Sequence, residues 1–161
     1  MHQFVNDLER PVGTYLLGRR MYETLRYWEA PPELDRQPDQ IRDYAEIWRG
    51  AEKIVYSRTL LAPTTVHTRL ERSFDQADVR RLKQSSTSDL SIGGADLAGQ
   101  ALAAGLVDEC QVFLGPIAIG GGKPVFPLGV HLRLELLDEH RFSGGTVWLR
   151  YAVLPAEKST S

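Results

Sequence analysis

The fold is indicated by the stretch Leu90-Ser91-Ile92-Gly93-Gly94-Ala95-Asp96-Leu97, in which a short apolar strand, a glycine pair and a helix follow one another. Two residues without side chains leave backbone N–H groups bare at the start of the helix, where the helix dipole favours an anion. The stretch therefore predicts a strand–turn–helix unit whose turn binds an anion such as a pyrophosphate. The alternative is that the glycine pair makes only a tight turn.

Two further strand ends offer groups that suit an anion. Arg19 and Arg20 follow Gly18 at the start of a predicted helix. The helix dipole disfavours cations there, so the pair indicates a bound anion, with a solvated pair as the alternative. The segment Ser57-Arg58-Thr59 follows another strand, and its guanidinium and two hydroxyls suit a phosphate monoester.

That phosphate would be the ribose 2′-phosphate that distinguishes NADP from NAD. An ordinary polar strand exit is the alternative for the segment 57–59. Three such strand ends in one chain predict a single dinucleotide laid across them.

Hydrophobic periodicity predicts the order of the elements around these sites. Helical spacing occurs at 1–8, 19–28, 40–49, 75–84 and 95–104, and strand patterns occur at 14–17, 53–56, 64–67, 89–92, 109–114, 132–141 and 146–153. Asp75 is expected to cap the helix that it precedes, and 142–145 is expected to turn a hairpin. The order predicts an α/β protein with a mixed, mainly parallel sheet, a C-terminal antiparallel hairpin and helices on both faces.

Composition favours an ordinary soluble protein. The chain has 161 residues, 42% of them hydrophobic and 25% charged, and a formal net charge of −2, which gives no electrostatic reason to expect nucleic acid or an anionic membrane as partner. The single cysteine, Cys110, excludes an internal disulfide and is expected to be buried and unreactive. No metal site is expected, because no metal-ligand spacing occurs among His2, His67, His131 and His140. We expect a cytoplasmic location.

The glycine run at 120–122 is not a phosphate-binding P-loop. Pro124 follows Lys123 and offers no hydroxyl for Mg²⁺, and the residues after it predict an irregular loop rather than a helix. The run indicates either a close approach of the backbone to a ligand or a wide turn.

Five motifs in sequence order resemble a known family. They are YLLGRRMYE at 15–23, KIVYSRT at 53–59, IGGADL at 92–97, AGLVDE at 104–109 and GPIAIGGGKPVF at 115–126. Together they look like the dihydrofolate-reductase-like superfamily, in the branch of the riboflavin-biosynthesis reductase domain that forms the C-terminal part of bifunctional deaminase-reductases. The resemblance covers nearly the whole chain.

The resemblance implies a three-layer α/β sandwich and NADPH as hydride donor. It also implies hydride transfer to a polarised C=N bond of a ribosylaminopyrimidine or a pterin-like compound, for which the protein positions the reactants and excludes water. The residues assigned to the cofactor are Gly18, Arg19, Arg20, Ser57, Arg58, Thr59, Gly93, Gly94, Ala95 and Leu97, and those assigned to the substrate are Pro116, Ile117 and Gly122.

The sequence departs from the family pattern at its start. The family has an N-terminal strand ending in a Ser-Leu-Asp-Gly-like segment, and nothing here precedes the predicted helix at 1–8 in that way. We therefore assign no catalytic acid, and we expect Asp7 and Glu9 on a solvated helix face. A truncated chain is the expected explanation, and a reduced form without activity is the alternative.

These patterns give two hypotheses about function. The first is an NADPH-dependent reductase in one domain over 1–154, with a disordered tail at 155–161. The second is a non-catalytic nucleotide-binding or dimeric assembly protein. A homodimer is expected under both, because symmetric pairs are the commonest oligomers. The zinc-deaminase half of the bifunctional enzymes is not expected, because its H-x-E and P-C-x-x-C motifs do not occur.

Overall fold

A computed structural model describes residues 1–155. The chain divides into two compact units, Met1–Ala98 and a second unit that begins at Gly99. The single domain expected over 1–154 stays a prediction. Apart from Pro155, the tail expected at 155–161 lies outside the described residues.

The first unit is built around a parallel sheet. Its elements are α1 (His2–Glu9), β1 (Val12–Gly18), α2 (Arg19–Leu25), α3 (Asp39–Gly50), β2 (Glu52–Tyr56), β3 (Thr68–Glu71), α4 (Gln76–Ser85), β4 (Asp89–Gly93) and the start of α5 (Ala95–Ala103), with 3-10 turns at Arg26–Glu29 and Leu34–Arg36. The four strands lie in the order β3-β2-β1-β4, and every pairing is parallel.

The two central strands, β1 and β2, carry the core of this unit. Leu16, Leu17, Ile54 and Val55 are each at most 2% exposed. Successive side chains of a strand point to opposite faces, so both faces of the sheet are covered. On one face Leu17 and Val55 belong to a buried cluster with Trp48 of α3, which explains why the apolar run at 14–17 does not alternate with polar residues.

A polar network joins α1 to α3. Asn6 is 2% exposed, and its Nδ2 donates to the Gln40 carbonyl at 2.8 Å and to Asp43 Oδ2 at 2.7 Å. Arg10 donates to both carboxylate oxygens of Asp43. These bonds from Arg10 and Asn6 hold the pKa of the Asp43 carboxyl below its usual range. The network therefore fixes α1 against α3 without leaving the buried amide of Asn6 unpaired.

The expected strand at 64–67 is wrong, because the third strand runs over Thr68–Glu71. The hydroxyl of Tyr22 accepts a hydrogen bond from the Thr64 backbone N–H at 2.8 Å, which holds this segment against α2. His67 has a φ of 49°, a left-handed conformation that interrupts a strand. The helix expected at 19–28 is also shorter, because it ends at Leu25 and continues as a 3-10 turn.

The expected helix cap at Asp75 is confirmed. Its carboxylate accepts from the backbone N–H groups of Ala77 and Asp78, and these bonds hold the pKa of Asp75 below its usual range.

The second unit contains the end of α5 and an antiparallel sheet. After α5, Gly105 adopts a left-handed conformation with a φ of 65°, which is common at the end of a helix. The strands β5 (Glu109–Leu114), β6 (Arg133–Arg141) and β7 (Val147–Leu154) lie in the order β5-β7-β6. The expected hairpin is confirmed by the bond from Phe142 N to Thr146 O.

The α/β class and the sequence of parallel and then antiparallel strands are confirmed. The strands are divided between two sheets, however, whereas the hydrophobic pattern predicted one mixed sheet. Cys110 in β5 is half-buried, and burial raises the pKa of its thiol, which agrees with an unreactive cysteine.

Candidate functional site

The three predicted anion-binding segments of the first unit lie at one edge of the parallel sheet. Gly18 at the end of β1 is level with Tyr56 at the end of β2, and Leu17 is level with Gly93 at the end of β4. Ligands of open α/β sheets bind beyond the carboxyl ends of the strands, where the helix N-termini also lie. The structure therefore brings together segments that are separated by up to 75 residues in the sequence.

The glycines of these segments differ in what they provide. Gly18 has an extended backbone with a φ of −70°, and a Cβ atom placed there would meet nothing within 4 Å. Gly94 has a φ of 96°, which L-residues rarely adopt, so the turn between β4 and α5 requires glycine there. The next helix begins at once, and Ala98 N donates to Gly94 O. The turn thus fits an anion that approaches the backbone closely.

Leu97 and Asp96 have different roles in the first turn of α5. Leu97 is buried, and its assignment to the cofactor stays a prediction. Asp96 places a carboxylate in the same turn, where its negative charge competes with a bound anion.

Arg19 connects two of the strand ends directly. Its Nη1 donates to Thr59 Oγ1 at 2.7 Å, and its Nε donates to Glu23 Oε1 at 2.7 Å. The pair with Glu23 joins the first and second turns of α2 and neutralises part of the arginine's charge. Arg19 is thus part of the structure of the site, and its contact with a phosphate stays a prediction.

The guanidinium groups of Arg20 and Arg58 are exposed. Neither forms a hydrogen bond or an ion pair with another side chain within residues 1–155. An exposed guanidinium with all of its donors available is suited to a phosphate, because it can form two parallel charge-assisted hydrogen bonds. Arg58 stands between two residues whose positions are fixed, and its contact with a 2′-phosphate stays a prediction.

The segment 57–60 is a defined turn rather than a loose strand exit. Ser57 is 8% exposed, and its Oγ accepts from Thr59 N at 3.3 Å and from Leu60 N at 3.0 Å. The Ser57 hydroxyl therefore shapes the turn, whereas the sequence suggested that it faces a ligand.

Arg72 is a residue that sequence reasoning missed. Its Nη1 donates to the carbonyl oxygens of Ser57 at 3.2 Å and Leu60 at 2.6 Å. The available signal was its position, because Arg72 is the residue directly after β3, which is the neighbour of β2 in the sheet. Glu23 was missed as well, and its signal was the i,i+4 spacing from Arg19.

The residues predicted to contact the substrate lie in the loop 115–131 of the second unit. Ile117 is 78% exposed, Gly122 has a φ of 126°, and Pro116 lies 3.4 Å from where a Cβ of Gly145 would stand. The irregular loop predicted after the glycine run is confirmed. Contact of these residues with a substrate stays a prediction.

Among residues 1–155, no three His, Cys, Asp or Glu side chains are grouped so that they could hold a metal ion. No helix in that part of the chain combines the length and the apolar character needed to cross a bilayer. The cytoplasmic location stays a prediction.

Comparison with known proteins identifies the family. The RibD C-terminal domain matches residues 1–148, so this chain belongs to the RibD C-terminal domain family. It is 26% identical over 147 residues to the uncharacterised protein YyaP of Bacillus subtilis strain 168, covering 90% of this chain and 76% of that protein.

Solved structures confirm the fold. A candidate riboflavin biosynthesis protein of Shewanella sp. PV-4 superposes with a TM-score of 0.69 at 18% identity, over 92% of this chain and 78% of that one. A pyrimidine reductase-like protein of Corynebacterium diphtheriae gives 0.65 at 16% identity, over 96% and 81%. The diaminohydroxyphosphoribosylaminopyrimidine deaminase/5-amino-6-(5-phosphoribosylamino)uracil reductase of Thermotoga maritima gives 0.59 at 15% identity, over 94% of this chain and 48% of that one.

Proposed function

We propose that this chain is an NADPH-dependent reductase that transfers a hydride to a C=N bond of a small heterocycle. The substrate class is a ribosylaminopyrimidine precursor of riboflavin or a pterin-like ring. Membership of the RibD C-terminal domain family supports a reductase of the riboflavin pathway. NADPH as the hydride donor and the class of substrate are proposals that go beyond this family membership. The site at the strand ends supports NADPH as the donor.

One observation carries the proposal, namely that three anion-suited segments lie at one sheet edge with the free guanidinium of Arg58 among them. The residues fit a dinucleotide, because open space at Gly18 and the left-handed Gly94 allow phosphates to approach the backbone. In this arrangement Gly93 and Gly94 would hold the pyrophosphate at the start of α5. Arg58 and Thr59 would hold the 2′-phosphate.

The protein's contribution to the reaction is mainly positioning. When bound, NADPH supplies the hydride. The fixed turns at 57–60 and 93–95 would hold the two ends of the cofactor, and rigid placement of this kind lowers the entropic cost of bringing the reactants together. Arg19 would keep the first two strand ends in register through its bond to Thr59.

Titration of the protein with NADPH and with NADH, followed by nucleotide fluorescence, tests the donor. Replacing Arg58 by Ala is expected to weaken the binding of NADPH by at least about tenfold, which corresponds to the loss of one charged hydrogen bond. The affinity for NADH is expected to stay nearly unchanged. Arg36→Ala is the control, because Arg36 is an exposed arginine in the 3-10 turn Leu34–Arg36, which is not one of the three strand-end segments. An equal loss of both nucleotides in the Arg58 variant would contradict the 2′-phosphate assignment.

Turnover separates the two hypotheses about function. Loss of NADPH absorbance with a ribosylaminopyrimidine or a dihydropterin would support the reductase. Tight NADPH binding without turnover of either compound class would favour the non-catalytic nucleotide-binding protein. A folded chain that binds neither nucleotide would contradict the reductase and the nucleotide-binding protein, and would leave only the dimeric assembly protein.

A further inference from the structure

The turn 57–60 is fastened to β3 as well as to itself. Ser57 N donates to Glu71 O at 2.9 Å, which continues the pairing of β2 with β3 by one residue. Arg72 directly follows Glu71 in the chain, so this pairing places Arg72 next to the turn 57–60. The sheet pairing therefore determines which side chain meets the turn.

Arg72 closes the turn with a single nitrogen. Its Nη1 contacts the carbonyl oxygens at both ends, those of Ser57 and Leu60. The Ser57 hydroxyl meanwhile accepts from the two N–H groups inside the turn. The guanidinium of Arg72, which donates from outside the turn, and the hydroxyl of Ser57, which accepts within it, together favour one backbone conformation. The bonds from Arg72 are the stronger ones, because a charged donor forms a stronger hydrogen bond than a neutral one.

The side chains at the centre of the turn are the ones assigned to the 2′-phosphate. Arg58 and Thr59 lie between the two carbonyls that Arg72 holds, and Thr59 is also held by Arg19. No carboxylate within residues 1–155 forms an ion pair with Arg72. Its positive charge therefore adds to the potential that an arriving phosphate meets.

We propose that Arg72 is a positioning residue that selects NADPH over NADH, because it holds the turn 57–60 in the conformation that presents Arg58 and Thr59. This inference rests on the proposed function. It predicts that loss of Arg72 weakens the binding of NADPH, which carries the 2′-phosphate, more than the binding of NADH. This is expected although Arg72 donates its hydrogen bonds to the protein backbone and not to the ligand.

The test compares Arg72→Met, Arg72→Lys and a matched control, Arg69→Met, in the full chain. Arg69 is on β3 and pairs with Glu71, so its replacement removes the same charge three residues away without touching the turn. Arg72→Met is expected to weaken the binding of NADPH by about tenfold and the binding of NADH by less than about threefold. Arg72→Lys is expected to restore most of the affinity, because one ammonium nitrogen can donate to both carbonyls.

Hydrogen exchange of the nucleotide-free protein gives an independent readout. In Arg72→Met the amides of Thr59 and Leu60 are expected to exchange about tenfold faster than in the wild type, and in Arg69→Met at the wild-type rate. Unchanged exchange at these two amides would overturn the proposal, because Arg72 would then not hold the turn.

The nucleotide titrations complete the decision. If the wild type binds NADPH and Arg72→Met binds it as well as Arg69→Met does, this inference is overturned and the proposed function stands. An equal loss of NADPH and NADH, or an Arg72→Lys variant as weak as Arg72→Met, would also overturn it. A wild type that binds no NADPH overturns the proposed function, and the inference with it.

Discussion

Glu9 has an unusual environment for a carboxylate near the end of a short helix. It is half-buried, and burial raises the pKa of its carboxyl, while the hydroxyl of Tyr15 lowers it to a smaller extent. Burial and the charge of Glu9 raise the pKa of Tyr44 to about 12. The solvated position expected for Glu9 is therefore wrong, whereas Asp7 on the same helix is exposed as expected.

The raised pKa makes the stability of the protein depend on Glu9 in a defined direction. A group whose folded-state pKa is raised contributes stability that is present below its unfolded pKa of about 4.3 and is lost as pH rises through the folded value. At a pH above the folded-state pKa, the wild type carries a charge on this half-buried carboxyl group. Glu9→Gln is therefore expected to melt a few degrees higher than the wild type at pH 8 and at the same temperature below about pH 4.

Thermal unfolding followed by circular dichroism at several pH values measures this effect. Asp7→Asn is the control, because it removes a charge from an exposed position of the same helix and is expected to change little. A difference between Glu9→Gln and wild type that stays the same from pH 4 to pH 8 would show that the carboxyl does not titrate abnormally.

At the scale of elements, the turns at Gly18 and Gly94 have different physical requirements. The conformation of Gly94, with a φ of 96°, costs an L-residue about 1–2 kcal/mol. Gly18 has an ordinary φ of −70°, and open space surrounds the position of its missing Cβ. Of these two glycines, Gly94 is therefore the one that the backbone conformation requires. Gly18 instead leaves open the space that a side chain would occupy.

Two alanine substitutions separate these requirements. Gly94→Ala is expected to lower the free energy of unfolding by about 1–2 kcal/mol, as measured with urea. Gly18→Ala is expected to leave the free energy of unfolding unchanged. It is expected to weaken the binding of NADPH, because the added methyl group occupies the space proposed for a phosphate. Normal NADPH binding by Gly18→Ala would remove β1 from the cofactor site.

At the scale of the whole molecule, the second unit exposes large apolar side chains. Within the loop 115–131, Ile117 and Ile119 are each 78% exposed and Leu128 is 85% exposed. Concentrated exposure of apolar surface marks interaction or ligand sites more often than isolated exposure does. We propose that this loop contributes to the homodimer expected from the sequence; the substrate site predicted in the same loop is the other role that the test can reveal.

A charge in this loop distinguishes the two roles. If the loop lies in a dimer interface, Ile119→Glu is expected to shift the molecular mass measured by sedimentation velocity from dimer to monomer. Leu61→Glu is the control, because Leu61 is exposed to 92% in the first unit. A wild type that sediments as a monomer would contradict the dimer. A loss of turnover without a change in mass would assign the loop to the substrate.

The local elements of this protein could be predicted from its sequence, because periodicity, capping and turn residues act over a few neighbours. The helix cap at Asp75, the hairpin turn at 142–145 and all three antiparallel strands are examples. The strand-end motifs were recognisable for the same reason, since each is a contiguous segment. The family followed from the order of these motifs along the chain.

Contacts between distant segments required the tertiary structure. The bond from Arg19 to Thr59 spans 40 residues, and the bonds from Arg72 to the turn at 57–60 span 12 to 15. Lys53 shows the same principle, because its side chain is fully buried and its amino group donates to the Trp48 carbonyl, a burial that no strand pattern indicates. Which strands pair, which charges are buried and which arginine holds a turn depend on packing between elements, and that packing is absent from any local stretch of the sequence.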